Sequence, residues 1–456
     1  MTKRPDFDSP ASGLLFPEVL DILKSDPSEL NELTEELHPA DLADMVGRLE
    51  EEDVLVFFGA LPVDRAADVA EYVEDSLRAS LVTSLDPDRA ARIVAAMNPD
   101  DRADVMADLE PEPAAAILSR IALPMRRETQ ALLAYEPNTA GGLMTTAFVV
   151  LPQATRADHA LALVRTQAQE KETIYSIYVI DQSNRVVGVV SLRELLAADT
   201  ARRLNEIMED NVVACRPDMD QEEVARLISR YDLLALPVLD DEDHLLGIVT
   251  VDDVIDVLVA EATEDVQKMS AIATIEEPYF VAGFWEMMRK RGGWLVLLFI
   301  GEILTTIALK HYESDFQQVA VLVLFIPLII SAGGNAGSQS STLITRSLAT
   351  GEVRVGQFYE VFLREGLMGL ALGVVLGLVG AFRTIFLHVP AGVSIVVGLA
   401  VVAVVFNGCV VGSLAPLILK RAKLDPALRS APFVASLCDV TGIIIYFTLA
   451  RLILHI

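Results

Sequence analysis

Two patterns of apolar and polar positions divide the first part of the chain. Up to about residue 135, apolar residues recur every three or four positions in short segments, the period of a helix with one buried face. The segments open on Pro and Asp, as in HPADLADMVGRL, LPVDRAADVAEYV, LDPDRAARIVAAM and NPDDRADVMADL. Pro suits a first helical turn, where no backbone donor is needed, and the carboxylate suits the positive helix end. The pattern predicts an all-α N domain over 1–136, a short superhelix of stacked helices. Beyond it the pattern changes and occurs twice. TAGGLMTTAFVVLPQATRADHAL aligns with RLNEIMEDNVVACRPDMDQEEVA, placing Met144 over Met208. IYSIYVIDQSNRVVGVVSLRELL aligns with LLALPVLDDEDHLLGIVTVDDVI, placing Gly188 over Gly247. Each copy reads strand, helix, strand, turn, strand, helix, giving α+β units over 137–200 and 201–258. Each is too small to bury a core alone, so the two are expected to pack together.

A helical period returns over 251–272, with Val254, Val257, Leu258, Val266 and Met269 on one face. The other face carries Asp253, Asp256, Glu261, Glu264 and Asp265, with Lys268 as the nearby base. Like charges on neighbouring turns destabilise a helix unless a cation screens them. This segment leads into a connecting helix assigned to 259–285. Mg²⁺, a hard ion that takes carboxylate oxygens from separate elements, suits such a face.

The pattern then becomes continuously apolar. Five stretches reach the ~20 residues that cross a bilayer: 292–310, 317–347, 359–382, 392–419 and 432–454, within a membrane domain assigned to 286–456. The second contains PLIISAGGNAGSQSST, in which Pro327 and Gly333, Gly334 and Gly337 predict a broken helix. Its amides and hydroxyls, including Asn335, Ser338 and Gln339, are tolerable at membrane depth only in packed protein or along a wet path. In the last stretch Asp439 stands near the middle with no Lys or Arg at its depth, which points to a cation as counter-charge. Glu302 and Asn407 are second-tier candidates.

Charge sharpens the division. Residues 292–456 carry 10 basic and 8 acidic side chains, and residues 1–291 carry 26 and 57, a net of +2 against −31. An acidic soluble half makes nucleic acid an unsuitable partner and cations a suitable one. Ten basic residues (Arg289, Lys290, Arg291, Arg346, Arg354, Arg364, Lys420, Arg421, Lys423 and Arg429) flank one side of the spans. Lys310, Arg383 and Arg451 flank the other. The positive-inside rule then places the N-terminal half in the cytoplasm and the C-terminus outside. MTKRPDFDSPASG has no apolar core followed by a cleavage site, so no signal peptide is read. Cys215, Cys409 and Cys438 have no paired spacing and suggest neither a disulfide framework nor a zinc site.

The duplicated region resembles a tandem pair of CBS domains. GVVSLRE and GIVTVDD match that family's Gly-x-hydrophobic-Ser/Thr-x-x-acid ending, in which hydroxyl and carboxylate commonly hold a nucleotide ribose. The resemblance implies ATP as a possible modulator, with Ser191, Arg193 and Glu194 as its residues. Over nearly its whole length the chain resembles the MgtE family of magnesium channels. The carrying matches are PLIISAGGNAGSQSSTLITRSLAT at 327–350 and SLCDVTGIIIYF at 436–447, with departures at Ser338 and Cys438. This resemblance implies a homodimer with a pore between the second and fifth spans of both copies. Asp439 would hold hydrated Mg²⁺ there, beside Gly334 and Asn335. It also implies closure by cytosolic Mg²⁺ held on Asp68, Asp100 and Asp104, on Glu222 and Asp232, and on Asp253, Asp256, Glu261, Glu264 and Asp265.

The reading is therefore a gated Mg²⁺ influx channel of the bacterial inner membrane, working without covalent chemistry. A divalent cation efflux exchanger and a non-conducting magnesium or nucleotide sensor are the alternatives. An enzyme is not expected, since the sequence offers no nucleophile–base pair and no phosphate loop.

Overall fold

The structure, a computed structural model, describes residues 10–168, 171–275, 279, 282–422 and 430–456. It folds as two compact units, one ending at Ala260 and the other beginning at Glu261.

The first unit opens with short helices: α1 Pro10–Ser25, α2 Leu30–Thr34, α3 Pro39–Val46, α4 Glu51–Ala60 and α5 Val63–Glu71. They continue as α6 Asp75–Ser84, α7 Pro87–Ala96, α8 Pro99–Asp108, α9 Pro111–Arg120 and α10 Leu123–Leu132. Pro lies in the first turn of α3, α7, α8, α9 and α10. Odd-numbered helices α3, α5, α7 and α9 stack on one another, as do α4, α6, α8 and α10, forming a two-layered superhelix. A recurring arginine ties successive turns of it. Arg65 donates to the Thr34 carbonyl at 3.0 Å and to that of Leu37, and Arg89 to the Phe58 carbonyl at 2.8 Å and to that of Leu61. These are the same offsets of 31 and 28 residues in both cases.

The duplicated region follows. In its first copy β1 Val149–Pro152 lies parallel to β2 Ser176–Ile180, which pairs antiparallel with β3 Val186–Ser191. Helix α11 Ala157–Gln167 connects the first two strands and α12 Leu192–Ala197 follows the third. In the second copy α13 Gln221–Tyr231 precedes β4 Ala235–Leu239 and its antiparallel partner β5 Leu245–Thr250. Its expected first strand shrinks to a single bridge, Cys215 to Val238, because Pro217 cannot extend the ladder. The copies exchange segments. Thr145 bridges Ile248 of β5, and Glu209 bridges Val189 of β3. Met144 thereby covers Gly247, and Met208 covers Gly188. Ala103 of α8 and Leu132 of α10 join the core of the second copy with Val224, Leu236 and Val249, so the superhelix and the pair are packed as one body.

Helix α14 runs Val251–Met269, beginning at the end of β5 and ending short of the expected 285. It passes through residue 259 without interruption, so the boundary expected there falls inside a helix. Of the predicted apolar face, Val254 and Val257 are buried, while Leu258 and Val266 are exposed.

The second unit holds five helices long and apolar enough to cross a membrane. They are α15 Phe284–His311, α17 Ile326–Ala349, α18 Phe358–Phe386, α19 Ala391–Arg421 and α20 Ala431–Leu454, with the short α16 Glu313–Gln318 after the first. The expected break at Gly333–Gly337 is absent: α17 is one continuous helix. The irregular backbone comes earlier, as a 3-10 turn at Ala320–Phe325, and Pro327 sits in the first turn of α17 where its missing donor costs nothing. The glycines serve packing instead. Gly408 of α19 lies against the backbone of Gly333 and Gly337, and Gly369, Gly373 and Gly377 of α18 lie against α19. Such close backbone approach is what holds helices together where lipid replaces water. At the other end, Arg451 pairs with Asp315 at 2.8 Å and covers the Tyr312 ring, which stacks on Phe447.

A Cβ at Gly408 would lie 2.6 Å from the Gly333 carbonyl oxygen, whereas one at Gly301 of α15 meets nothing within 4 Å. Gly408→Ala is expected to cost about 1–3 kcal/mol, the usual penalty of overpacking. Thermal unfolding in detergent should show a lowered midpoint for Gly408→Ala and none for Gly301→Ala.

Candidate functional site

The acids of the first unit converge on one place. Asp100, in the first turn of α8, is 8 % exposed. Its carboxylate, that of Glu172 from the loop after α11 and that of Asp253 from the first turn of α14 offer oxygens all within 4.8 Å of one another. Thr250, at the end of β5, donates to Asp253 at 2.5 Å and to Glu172 at 3.5 Å, and Thr145 donates to Asp100. Asp100 Oδ1 and Glu172 Oε2 are nevertheless buried without a hydrogen-bond partner. Glu71, Asp101, Asp104 and Asp252 extend the cluster electrostatically.

Burial and mutual repulsion push these carboxyls far above their ordinary range. Desolvation, then the charge of Asp100, takes Asp101 to about 9, Glu172 to about 8 and Asp104 to about 6. Desolvation and Asp100 likewise take Asp253 to about 7, and desolvation takes Glu71 to about 7 despite the Asn98 N–H it accepts at 2.9 Å. Burial raises Asp100, Asp68 and Asp256 as well. The nearby guanidinium of Arg78 is shared with Asp75 and Asp108, and Arg102 is paired with Glu128. A cluster of oxygen donors, two of them buried without a partner, fits a hard divalent cation.

The sequence-predicted acids therefore divide. Asp100, Asp104 and Asp253 lie in the cluster, and the charges of Asp68 and Asp256 reach its edge through Glu71 and Asp252. Glu222 instead holds Arg226 at 3.1 Å in the first turn of α13, and Asp232 is the left-handed residue that ends that helix. Glu264 holds Lys268 at 2.5 Å and accepts from Thr274 at 3.1 Å. Glu261 and Asp265 lie on the same stretch of α14 and are half-buried. Glu172 and Asp101 went unrecognised in the sequence. Asp101 adjoins a predicted acid, but nothing local marks Glu172, which reaches Asp253 only through the fold.

Ser191 and Glu194 form a reciprocal cap on α12: Ser191 Oγ and N–H both donate to Glu194, at 2.7 and 2.9 Å, and hold its carboxyl below the usual range. With Arg193 they line a cleft of about 590 Å³ between the two copies. Tyr175, Tyr178, Asn211, Val213 and Asp232 complete its walls. The equivalent pair in the second copy, Thr250 and Asp253, belongs to the acid cluster instead.

In the second unit Gly334 of α17 faces Asp439 of α20, where a Cβ would lie 3.4 Å from Oδ1. Asn335 is exposed and donates to Ser331 at 3.2 Å. The charge of Glu302 reaches Asp439. Asn407 donates to Thr441 at 2.8 Å and joins α19 to α20. Glu365 of α18, a membrane carboxylate beyond the expected pair, accepts from Ser340 at 2.7 Å. Lys423 and Arg429, used in the orientation reading, lie outside the described residues, as does the start of the leader reading at 1–9.

Residues 326–449 match the family model of the MgtE divalent cation transporters, residues 37–138 that of the MgtE intracellular N domain, and 140–200 and 204–260 that of CBS domains. A magnesium transporter MgtE of Thermus thermophilus is 40% identical over 435 residues, covering 95% of this chain and 96% of that protein. The chain belongs to the MgtE family. A second MgtE relative, from Enterococcus faecalis, is 38% identical over 72% of each chain. Two solved structures resemble the first unit. The soluble part of a magnesium transporter covers 55% of this chain and 99% of its own at 36% identity, with a TM-score of 0.53. The cytosolic domain of the Mg²⁺ channel MgtE in complex with ATP covers 54% and 99% at 39% identity, with a TM-score of 0.51. This MgtE chain is accordingly a multi-pass membrane protein carrying a CBS pair.

The raised carboxyls carry a sign. An unfolded carboxyl titrates near ~4, so between there and about 9 the folded state holds more protons and loses stability as pH rises. In chelator, the unfolding midpoint should fall between about pH 5 and about pH 9, and Asp101→Asn with Glu172→Gln should flatten that fall. A midpoint rising over this range in scanning fluorimetry would contradict the described burial.

Proposed function

We propose that this chain is a Mg²⁺-selective influx channel of the bacterial inner membrane, closed by cytosolic Mg²⁺. The observation that carries the gating half is the cluster of Asp100, Glu172 and Asp253, whose oxygens converge with partnerless buried atoms. Asp100 comes from the superhelix, Glu172 from the CBS pair and Asp253 from α14. A divalent cation bound there joins all three, and its removal restores their repulsion. Asp104 extends the cluster, and Asp68 and Asp256 add charge at its rim. Glu222, Asp232, Glu261, Glu264 and Asp265 are assigned to further regulatory ions. The magnesium transporters among the relatives support the choice of ion.

The permeation half rests on Asp439, a half-buried carboxylate in the middle of a span, beside the bare backbone of Gly334 and the exposed amide of Asn335. A charge at that depth belongs against water or protein rather than lipid. A second copy of the chain completes the wall, giving a homodimer with two Asp439 carboxylates about one hydrated ion. A doubly charged ion gains twice the Coulomb energy of a monovalent one at the same ring. The membrane potential supplies about twice 2.3 kcal/mol per 100 mV for inward flow. The N-terminus is cytoplasmic and the C-terminus outside, by the excess of basic residues on one side.

ATP is assigned to the cleft at Ser191, Arg193 and Glu194, which is supported by the nucleotide in a related cytosolic domain. Glu302 and Glu365 give the efflux exchanger a specific footing, as acids in the membrane beyond Asp439.

Mg²⁺ uptake into proteoliposomes tests both halves. Asp439→Ala should abolish flux, and Glu172→Gln should leave flux intact while requiring several-fold more cytoplasmic-side Mg²⁺ for closure. Normal flux through Asp439→Ala would remove the pore assignment. Proton counterflow that disappears in Glu302→Gln or Glu365→Gln would favour the exchanger.

A further inference from the structure

A second cleft, of about 420 Å³, opens between the C-terminal part of α17 and the N-terminal part of α18. It lies at the end of the spans flanked by Arg346, Arg354 and Arg364. Its lining is apolar at Leu343, Ile344, Val353 and Val361. Leu343 is exposed, as are Leu363 and Leu367 of α18, an apolar surface on spanning helices that suits lipid. The lining is charged at Glu352, Glu360 and Arg364, which are exposed, and at the half-buried Glu365.

The charges do not neutralise one another. Each carboxylate takes its hydrogen bond from a neutral donor: Glu352 from Ser347 at 3.4 Å, Glu360 from Gln357 at 3.0 Å and Glu365 from Ser340 at 2.7 Å. Among the described residues Arg364 forms no ion pair within 4.0 Å. Nor do the three acids converge as a metal site does, since they are not among the groups whose oxygens gather within 4.8 Å. The matching ligand is an extended one, with an ammonium for the carboxylates, an anion for the guanidinium and an apolar tail for the leucines.

We infer that this cleft seats the head group of an aminophospholipid from the surrounding bilayer. The ammonium donates to Glu360 and Glu352, the phosphate accepts from Arg364, and the acyl chains run along Leu343 and Leu367. A quaternary choline lacks the N–H donors, and glycerol lacks the positive charge, so both fit less well. Neither Asp439 nor Gly334 or Asn335 beside it belongs to the lining of the cleft.

The test is native mass spectrometry of the full chain in detergent, titrated with dioleoyl phosphatidylethanolamine, phosphatidylcholine and phosphatidylglycerol. Phosphatidylethanolamine should bind most tightly. Glu360→Gln and Arg364→Gln should each weaken it about tenfold, the scale of one lost charge-assisted bond, with little effect on the other two lipids. Arg364→Lys, which keeps the charge, should retain most of the binding and thereby separate a lost contact from a lost fold. Equal or tighter binding of phosphatidylglycerol would overturn the inference, as would unchanged phosphatidylethanolamine binding in both neutralised variants. Mg²⁺ retention that vanishes in Glu360→Gln without any lipid preference would assign the cleft to an ion instead.

Discussion

Carboxylates withdrawn from water without a counter-charge govern the first unit. Each acid removed from solvent pays a desolvation penalty, and each neighbour of like sign adds to it. Packing opposes that repulsion: Ala103 of α8 and Leu132 of α10 are shared with the core of the second CBS copy. Apolar contact therefore holds in place a set of charges that would otherwise separate. Positive charge brought to Asp100 would relieve that repulsion.

The membrane unit obeys the same rule in a harsher solvent. Within it, Ser340 finds a partner across a helix interface in Glu365 and Asn407 one in Thr441, while the hydroxyls of Thr305, Thr345 and Ser430 are buried without one. Tyr446 donates to the Leu322 carbonyl at 2.9 Å and so satisfies the 3-10 turn ahead of α17. The glycines let these bonds form, because they bring α17, α18 and α19 to backbone contact. Asp439 stands apart, half-buried and faced by backbone on one side.

Much of this was legible along the chain. Proline at helix starts, the duplicated unit and the five apolar runs each reflect a local rule, and each has its counterpart in the structure. The failures share a cause, since they concern what distant residues do to one another. Gly333 and Gly337 read as helix breakers because propensity sees only the strand of chain they occupy, while their use lies in the approach of Gly408. Glu172 carries no motif and acquires its meaning from Asp253, 81 positions later. Leu258 and Val266 fit the helical period yet remain exposed, because periodicity locates a face without saying what covers it. Glu365 was passed over inside a strongly apolar run, where its partner Ser340 belongs to a different helix.

The exchange of segments between the CBS copies has a consequence for how such a chain can be divided. Met144 belongs to the first copy yet closes over Gly247 of the second, and Met208 of the second returns the arrangement at Gly188. A Cβ at either glycine would come within 2.7 Å of the methionine sulfur, so each lid and its seat are matched to the atom. A single copy cut out of the chain would keep its own lid and lose the seat beneath it. The indivisible module here is the interlocked pair, and its halves diverge in chemistry, one lining an open cleft with a capped carboxylate and the other contributing to a buried acid cluster, without being free to part.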